Sequence, residues 1–242
     1  MSSSQELTPS DHGFWARVWH RPHEPQWKEG EVTKPFASHL SYLVSHTEAT
    51  LEQFASQTVL VPLCGDTEAL DFLSTVFAKV IGVEFTDKAV NIVRERFLQQ
   101  GFAVVSDTVN EDESERVLTM QKDGKLLEMQ RRDFFLPNRI EPKSVHCVYD
   151  RASLVAIEPS RREEYGARMQ EVCAPNAVYF VITVERGRNP EYGPPHHVPK
   201  EVVESTLAAF EIKAERVEPT ERTPSMVENV WTHKHYVLCK EA

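Results

Sequence analysis

From residue 57 onward the chain alternates short β-branched apolar runs with segments whose apolar residues recur at helical spacing. A strand followed by a helix, repeated, builds βαβ units, and such units assemble into a mainly parallel, right-handed sheet. Val59-Leu60-Val61, ended by Pro62 and Gly65, opens the series. Thr67 to Ala78 then sets Leu70, Leu73 and Phe77 on one helical face, with Asp66 expected as N-cap. Lys79–Glu84 reads as a second strand and Asp87–Gln100 as a second helix, carrying Val90, Val93, Phe97 and Leu98 and stopped by Gly101. Phe102–Val105 reads as a third strand.

The rhythm changes between Val117 and Phe135, where Lys122-Asp123-Gly124-Lys125 joins two mixed apolar segments as a hairpin turn would. It resumes with a strand at Val145–Tyr149, a helix at Ser160–Cys173, a strand at Ala177–Val184 and a helix at Pro199–Phe210 with proline at its start. Glu211–Val217 and Trp231–Leu238 follow with no helix between them and are expected to pair as an antiparallel hairpin. The expected fold is therefore α/β: a doubly wound, mainly parallel sheet with an antiparallel C-terminal strand. One domain over 1–242 suffices, with a core at 56–242 and residues 1–55 as an N-terminal cap over the site.

Lys and Arg total 27 against 37 Asp and Glu, a formal charge of −10 that disfavours nucleic acid and anionic membrane surfaces as general partners. A small cationic ligand stays compatible with it. Asp107–Arg116, with five acids and one base, reads as a solvated loop. Cys64, Cys147, Cys173 and Cys239 are scattered, which supports neither a disulfide framework nor a structural zinc site. The polar start Met1–Asp11 lacks a signal-type apolar region, and no run approaches the roughly 20 apolar residues of a membrane span. A cytoplasmic monomer with reduced thiols is the expectation.

Ligands of a doubly wound sheet bind outside the carboxyl ends of its strands. After the first strand, Pro62-Leu63-Cys64-Gly65-Asp66 holds a single glycine, so the dense backbone nest of a pyrophosphate site is absent, yet Gly65 permits close approach of a ligand. The loop alone equally fits an ordinary strand-to-helix turn. Glu84 ends the second strand 19 residues after Gly65, where a carboxylate can accept from both ribose hydroxyls. Asp133 with Phe134 and Phe135 can meet an adenine, the carboxylate taking the exocyclic amine and an aromatic covering the ring; a capping Asp before two core phenylalanines is the other possibility. Asp150-Arg151, inside an apolar stretch at the end of the fourth strand, faces the ligand crevice or forms a structural ion pair. Jointly the four features suit an adenosine-containing cofactor without pyrophosphate, and S-adenosyl-L-methionine fits.

The segments VPLCGDTEAL, VIGVEFTDKAV, VYDRASLVAIEPSRREEY and GPPHHVP resemble the thiopurine S-methyltransferase family, in matching order from about Phe14 to the end. The resemblance implies the seven-stranded Class I methyltransferase sheet, with S-adenosyl-L-methionine as cofactor and S-adenosyl-L-homocysteine as product. It implies that Trp15 and Trp19 are the family's N-terminal tryptophan pair, that Leu63 contacts the cofactor, that Glu84 holds the ribose, and that Arg132 and Asp133 flank the adenine. Arg151 then lies between cofactor and acceptor. Trp27, Pro195, His196 and Arg222 fall in acceptor-side regions, His196 standing where the family has an aromatic after Gly-Pro-Pro.

Methyl transfer from a sulfonium is an in-line displacement that depends on alignment and desolvation of the acceptor. A thiol needs little help from a base, because heteroaromatic thiols ionise below the ordinary value of about 8.5. Asp150 and Arg151 are expected to orient such an acceptor, with Arg151 favouring its thiolate. His196 or His197 could remove a proton, or be loop residues only; a metal role would need a third ligand. The expected function is methyl transfer to a small aromatic or heterocyclic thiol. Halide, thiocyanate or sulfide as acceptor, or adenosine-ligand binding without catalysis, are the alternatives, and the missing glycines disfavour a nicotinamide-dependent dehydrogenase.

Overall fold

The computed structural model describes residues 18–19, 36–136, 140–187, 190–191, 193–218 and 231–240. Its strands are β1 (Thr58–Val61), β2 (Lys79–Glu84), β3 (Ala103–Val109), β4 (Arg116–Lys122), β5 (Lys125–Arg131), β6 (Val145–Arg151), β7 (Cys173–Arg186), β8 (Phe210–Glu218) and β9 (Trp231–Lys240). They form one sheet in the order β3-β4-β5-β2-β1-β6-β7-β9-β8. The central run β5-β2-β1-β6-β7 is parallel throughout. At its far end β9 enters antiparallel beside β7 and pairs antiparallel with β8, the closing arrangement expected from two strands without an intervening helix.

The expected seven strands are thus present, and two more extend the sheet to nine. The turn at Asp123 and Gly124, at φ 48° and 78°, is the left-handed pair that a tight hairpin demands. It makes β5, rather than the segment at Phe102–Val105, the parallel neighbour of β2. That earlier segment becomes β3, an antiparallel outer edge exposed along its whole length. The acidic stretch is the end of β3 and an exposed turn, with Arg116 Nε donating to Asp107 at 2.7 Å.

Seven α-helices are described: α1 (Phe36–Ser45), α2 (Leu51–Phe54), α3 (Ala69–Val76), α4 (Asp87–Gln99), α5 (Ser153–Ala156), α6 (Arg162–Val172) and α7 (Lys200–Thr206). Alternation along the strands divides the core in two. Val59, Val61, Tyr149 and Phe180 pack under Leu40 of α1, Leu73 of α3 and Val93 of α4. Leu60, Val148, Tyr179 and Val181 pack under Leu154 of α5, Tyr165 and Met169 of α6 and Val203 of α7. Both faces are therefore covered, as buried parallel strands require.

Asp66 is not the cap expected. Helix α3 starts two residues later, at Ala69, and its N-cap position is Glu68, which makes no side-chain cap bond; Thr67 Oγ1 accepts from Ala69 N at 3.3 Å. Among the described residues no helix is long and apolar enough to cross a membrane, and no group of three His, Cys, Asp or Glu side chains could hold a metal.

Candidate active site

The carboxyl ends of β1, β2, β5 and β6 converge, and the loop after β1 is the piece to which the others are tied. Its Leu63 and Gly65 both adopt left-handed backbone, at φ 42° and 54°. Cys64 N donates to Val83 O of β2 at 2.9 Å, and Ser153 Oγ, beyond β6, donates to Pro62 O at 2.6 Å. Arg96 of α4 clamps the outgoing side, donating to Asp66 O at 2.7 Å, Thr67 O at 2.8 Å and Asp71 Oδ1 at 2.9 Å. The indole of Trp19 lies on Gly65: a Cβ added there would stand 3.2 Å from Trp19 Cζ2. Lys88 holds the Trp19 carbonyl at 2.6 Å. Trp15, Trp27 and Arg222 lie outside the described residues.

Glu84, buried at the end of β2, accepts from Gly65 N and from Thr86 N, each at 2.9 Å. Burial raises its pKa above the ordinary carboxylate value, and the backbone N–H groups of Thr86, Phe85 and Gly65 oppose that rise. Arg132 N donates to Glu84 O at 2.8 Å, which brings the β5 turn to the same place.

In that turn the guanidinium of Arg132 is buried and donates to the carbonyls of Asp133, at 3.3 Å, and Leu136. Asp133 Oδ1 accepts from Phe135 N at 2.9 Å, the capping geometry raised as the second possibility for this tetrapeptide. Phe134 belongs to the core, its ring 5.4 Å from that of Tyr165. Half-buried Phe135 carries the guanidinium of Arg161 at 3.6 Å from its ring centre.

At the end of β6 the two charged neighbours separate. Asp150 is wholly buried: Oδ2 accepts from Tyr165 at 2.7 Å and Tyr179 at 2.9 Å, and Oδ1 from Ser153 N at 3.1 Å and Leu154 N at 3.3 Å. Burial raises its pKa against these bonds. With four donors on it, Asp150 anchors the turn in which Ala152 sits at φ 74°. The two tyrosines, on α6 and β7, were not among the sequence candidates, since nothing local links them to Asp150. Arg151, on the opposite face of the strand, is partly exposed.

The Gly-Pro-Pro loop folds against α5. His196 N donates to Val155 O at 2.6 Å, and its buried ring stands 3.7 Å from Glu158. Burial lowers its pKa, with Glu158 acting in the other direction. Gly193 lies against that ring, where any Cβ would overlap Nδ1 at 2.0 Å. Pro195 O accepts from Arg186 at 3.3 Å, and His197 Nδ1 from Arg186 N at 2.9 Å.

Sequence reasoning also missed a cluster on the α1 side of the sheet. His39 of α1 is buried, shares a 2.9 Å hydrogen bond with the Tyr149 hydroxyl, and meets the His235 ring edge-on at 5.0 Å. His235 Nδ1 accepts from Arg216 Nε at 3.2 Å. The available signal was the placement of His39 within the apolar face of Phe36, Leu40 and Leu43, a position a solvent-seeking imidazole would avoid.

The sequence profile of the family described as Thiopurine S-methyltransferase (TPMT) matches residues 10–239. The chain belongs to the thiopurine S-methyltransferase family. It is 28% identical over 194 residues to the thiopurine S-methyltransferase of Pseudomonas paraeruginosa strain DSM 24068 / PA7, covering 80% of this chain and 82% of that one. To the thiopurine S-methyltransferase of Vibrio parahaemolyticus serotype O3:K6 it is 31% identical over 158 residues, 64% of this chain and 66% of that one. Its fold matches that of the N-methyltransferase NodS from Bradyrhizobium japonicum WM9, solved with S-adenosyl-L-homocysteine. The TM-score is 0.64 at 11% identity, over 96% of this chain and 98% of that one. A thiopurine S-methyltransferase family member with this fold is an S-adenosyl-L-methionine-dependent methyltransferase. The glycine-only approach at Gly65 and the acceptor-type carboxylate of Glu84, 19 residues apart, fit an adenosyl group.

Proposed function

We propose that this methyltransferase acts on the sulfur of a small aromatic or heterocyclic thiol. The observation that carries the reading is the split at the end of β6. Arg151 is half-buried on the opposite face of β6, while Asp150, the nearest carboxylate in sequence, is already taken by four donors. The acceptor side thus offers a cation and no carboxylate base from this pair. A nucleophile that arrives ionised, or ionises easily, suits it; an alcohol or amine that must lose a proton in the reaction suits it less.

On the cofactor side, Trp15, Trp19, Leu63 and Gly65 cover and approach the bound group, Glu84 accepts from its ribose, and the turn of Arg132, Asp133 and Phe134 borders its adenine. Trp27, Pro195, His196 and Arg222 are assigned to the acceptor together with Arg151, as the family resemblance implies. When bound, S-adenosyl-L-methionine supplies an electrophilic methyl group on a sulfonium. The protein's part is to exclude water and hold the sulfur in line, with the Arg151 guanidinium favouring the thiolate.

Methyl-labelled S-adenosyl-L-methionine offered with aromatic thiols, alkyl thiols, iodide and thiocyanate tests the reading. Label is expected first in the aromatic thioethers. Transfer to iodide or thiocyanate with none to thiols would overturn it, as would cofactor binding with no transfer to any acceptor.

A further inference from the structure

Trp19 meets the loop after β1 with its ring and the first turn of α4 with its backbone. The buried indole lies on Gly65, with Cζ2 and Cη2 standing 3.2 and 3.6 Å from where a Cβ would be. The main-chain carbonyl accepts from Lys88 Nζ at 2.6 Å. One hold is packing on a residue without a side chain; the other is a charge-assisted hydrogen bond, among the stronger kinds. Because 69 residues separate Trp19 from Lys88, that bond fixes Trp19 to the helical layer of the core and not to a neighbour in sequence.

Lys88 is the second residue of α4 and follows Glu84 by four. The turn between them is pinned at both ends: Glu84 accepts from Thr86 N at 2.9 Å, and Thr86 Oγ1 caps α4 through Ala89 N at 3.4 Å. A single turn therefore carries the carboxylate read as the ribose acceptor and the ammonium that holds Trp19. Helix energetics do not ask for a lysine here. The amides of a first helical turn present partial positive charge, which favours an acid and disfavours a cation. Asp87 meets that preference, and its carboxylate is engaged by Arg131 at 3.1 Å and Arg116 at 3.4 Å. Among the described residues no carboxylate pairs with Lys88; its ammonium goes to the Trp19 carbonyl.

We propose that Lys88 is a positioning residue for the cofactor: by holding the Trp19 carbonyl it keeps the indole seated on the Gly65 loop, and so retains S-adenosyl-L-methionine and slows release of S-adenosyl-L-homocysteine. The proposal rests on the reading of Trp19, Gly65 and Glu84 as the cofactor side, and adds to it the group that sets cofactor affinity and exchange. A Trp19 that moves off Gly65 breaks the Lys88 bond together with the packing. Lys88 acts through Trp19 and takes no part in methyl transfer, so it bears on cofactor binding and not on the chemical step.

Lys88→Met keeps a flexible apolar stem and removes the ammonium. It is expected to raise the Kd of S-adenosyl-L-homocysteine, read by titration calorimetry, and the KM of S-adenosyl-L-methionine about tenfold. The KM of the acceptor should stay as it is and kcat should not fall. Lys88→Arg, which can still donate to the carbonyl, should recover most of the affinity. Lys122→Met removes a bond of the same kind, from Lys122 Nζ to Gln100 O at 2.7 Å just past the other end of α4, and should change neither constant. In a Trp19→Ala protein the cover is already gone, so adding Lys88→Met should raise the Kd no further. Calorimetry needs no acceptor, so the result does not depend on which nucleophile is methylated. A Trp19→Ala protein that binds as the wild type does would strike the cofactor reading of Trp19 and the proposal with it. Lys88→Met at wild-type affinity, or a full further loss when it is added to Trp19→Ala, overturns the proposal while that reading stands.

Discussion

The amide of Gly65 donates to the carboxylate of Glu84 at 2.9 Å, tying the loop after β1 to the end of β2. A ligand that reaches Glu84 therefore also meets the glycine, and the two cannot be treated as separate subsites. Glu84→Ala removes the acceptor and leaves the Gly65 and Thr86 amides without it. Cofactor binding is expected to weaken by about 1–3 kcal/mol, the cost of unpaired polar groups. Titration calorimetry with S-adenosyl-L-homocysteine measures it, and an unchanged Kd would refute the ribose role.

Gly65 combines a left-handed φ of 54° with an indole 3.2 Å from where a Cβ would stand. Gly65→Ala meets both constraints at once: strained backbone, and displacement of Trp19. A stability loss of about 1–2 kcal/mol is expected from the backbone alone. Cofactor affinity should fall by more than stability does, because the ring that moves covers the loop. Urea midpoints together with cofactor Kd check this; a variant as stable and as tight as the wild type would contradict it.

Asp150 tests the difference between anchoring and chemistry. Asp150→Ala strands two tyrosine hydroxyls and two amides inside the second core, at a cost on the order of 3 kcal/mol or more. Asp150→Asn keeps an acceptor oxygen and should lose less. If the residue is a positioning one, Asp150→Asn should retain transfer with altered KM, whereas a catalytic carboxylate would lose kcat. Steady-state kinetics on the Asn variant separate the two outcomes.

Where local pattern carried the information, the sequence was legible. The β-branched runs at Val59–Val61 and Lys79–Glu84 end at the loop and carboxylate that the fold brings together, because a parallel strand buried on both faces must be continuously apolar. The Asp123-Gly124 turn was equally plain. Its consequence was not, since which strand then lies beside β2 depends on pairing, and the exposed β3 opens with an apolar run, Ala103–Val105, that reads as an interior strand. Asp150 shows the same limit: the Asp-Arg pair was visible, but Tyr165 and Tyr179 reach it from two other elements. His39 and His235 are 196 residues apart in sequence, and no spacing rule joins them.

That pair sets the protein's behaviour in acid. Burial, then Arg216 for one and His39 for the other, hold His39 and His235 at about 3, against an ordinary value of 6.5. The folded state refuses a proton that the unfolded chain accepts below about pH 6.5. Each imidazole therefore contributes stability that is full above that pH and is lost as the pH falls toward 3, at up to about 1.4 kcal/mol per pH unit. Glu84 and Asp150, raised by burial, act in the opposite sense, stabilising the fold as the pH drops below their folded values. The whole-protein slope therefore mixes the two signs, and a single substitution isolates one. His39→Gln removes a titrating group while leaving an amide to meet the Tyr149 hydroxyl. Between pH 6 and 4.5 its unfolding free energy should decline less steeply than that of the wild type, by about 1 kcal/mol per pH unit. Urea unfolding across that range gives the two slopes, and parallel curves would show that His39 is protonated inside the fold after all.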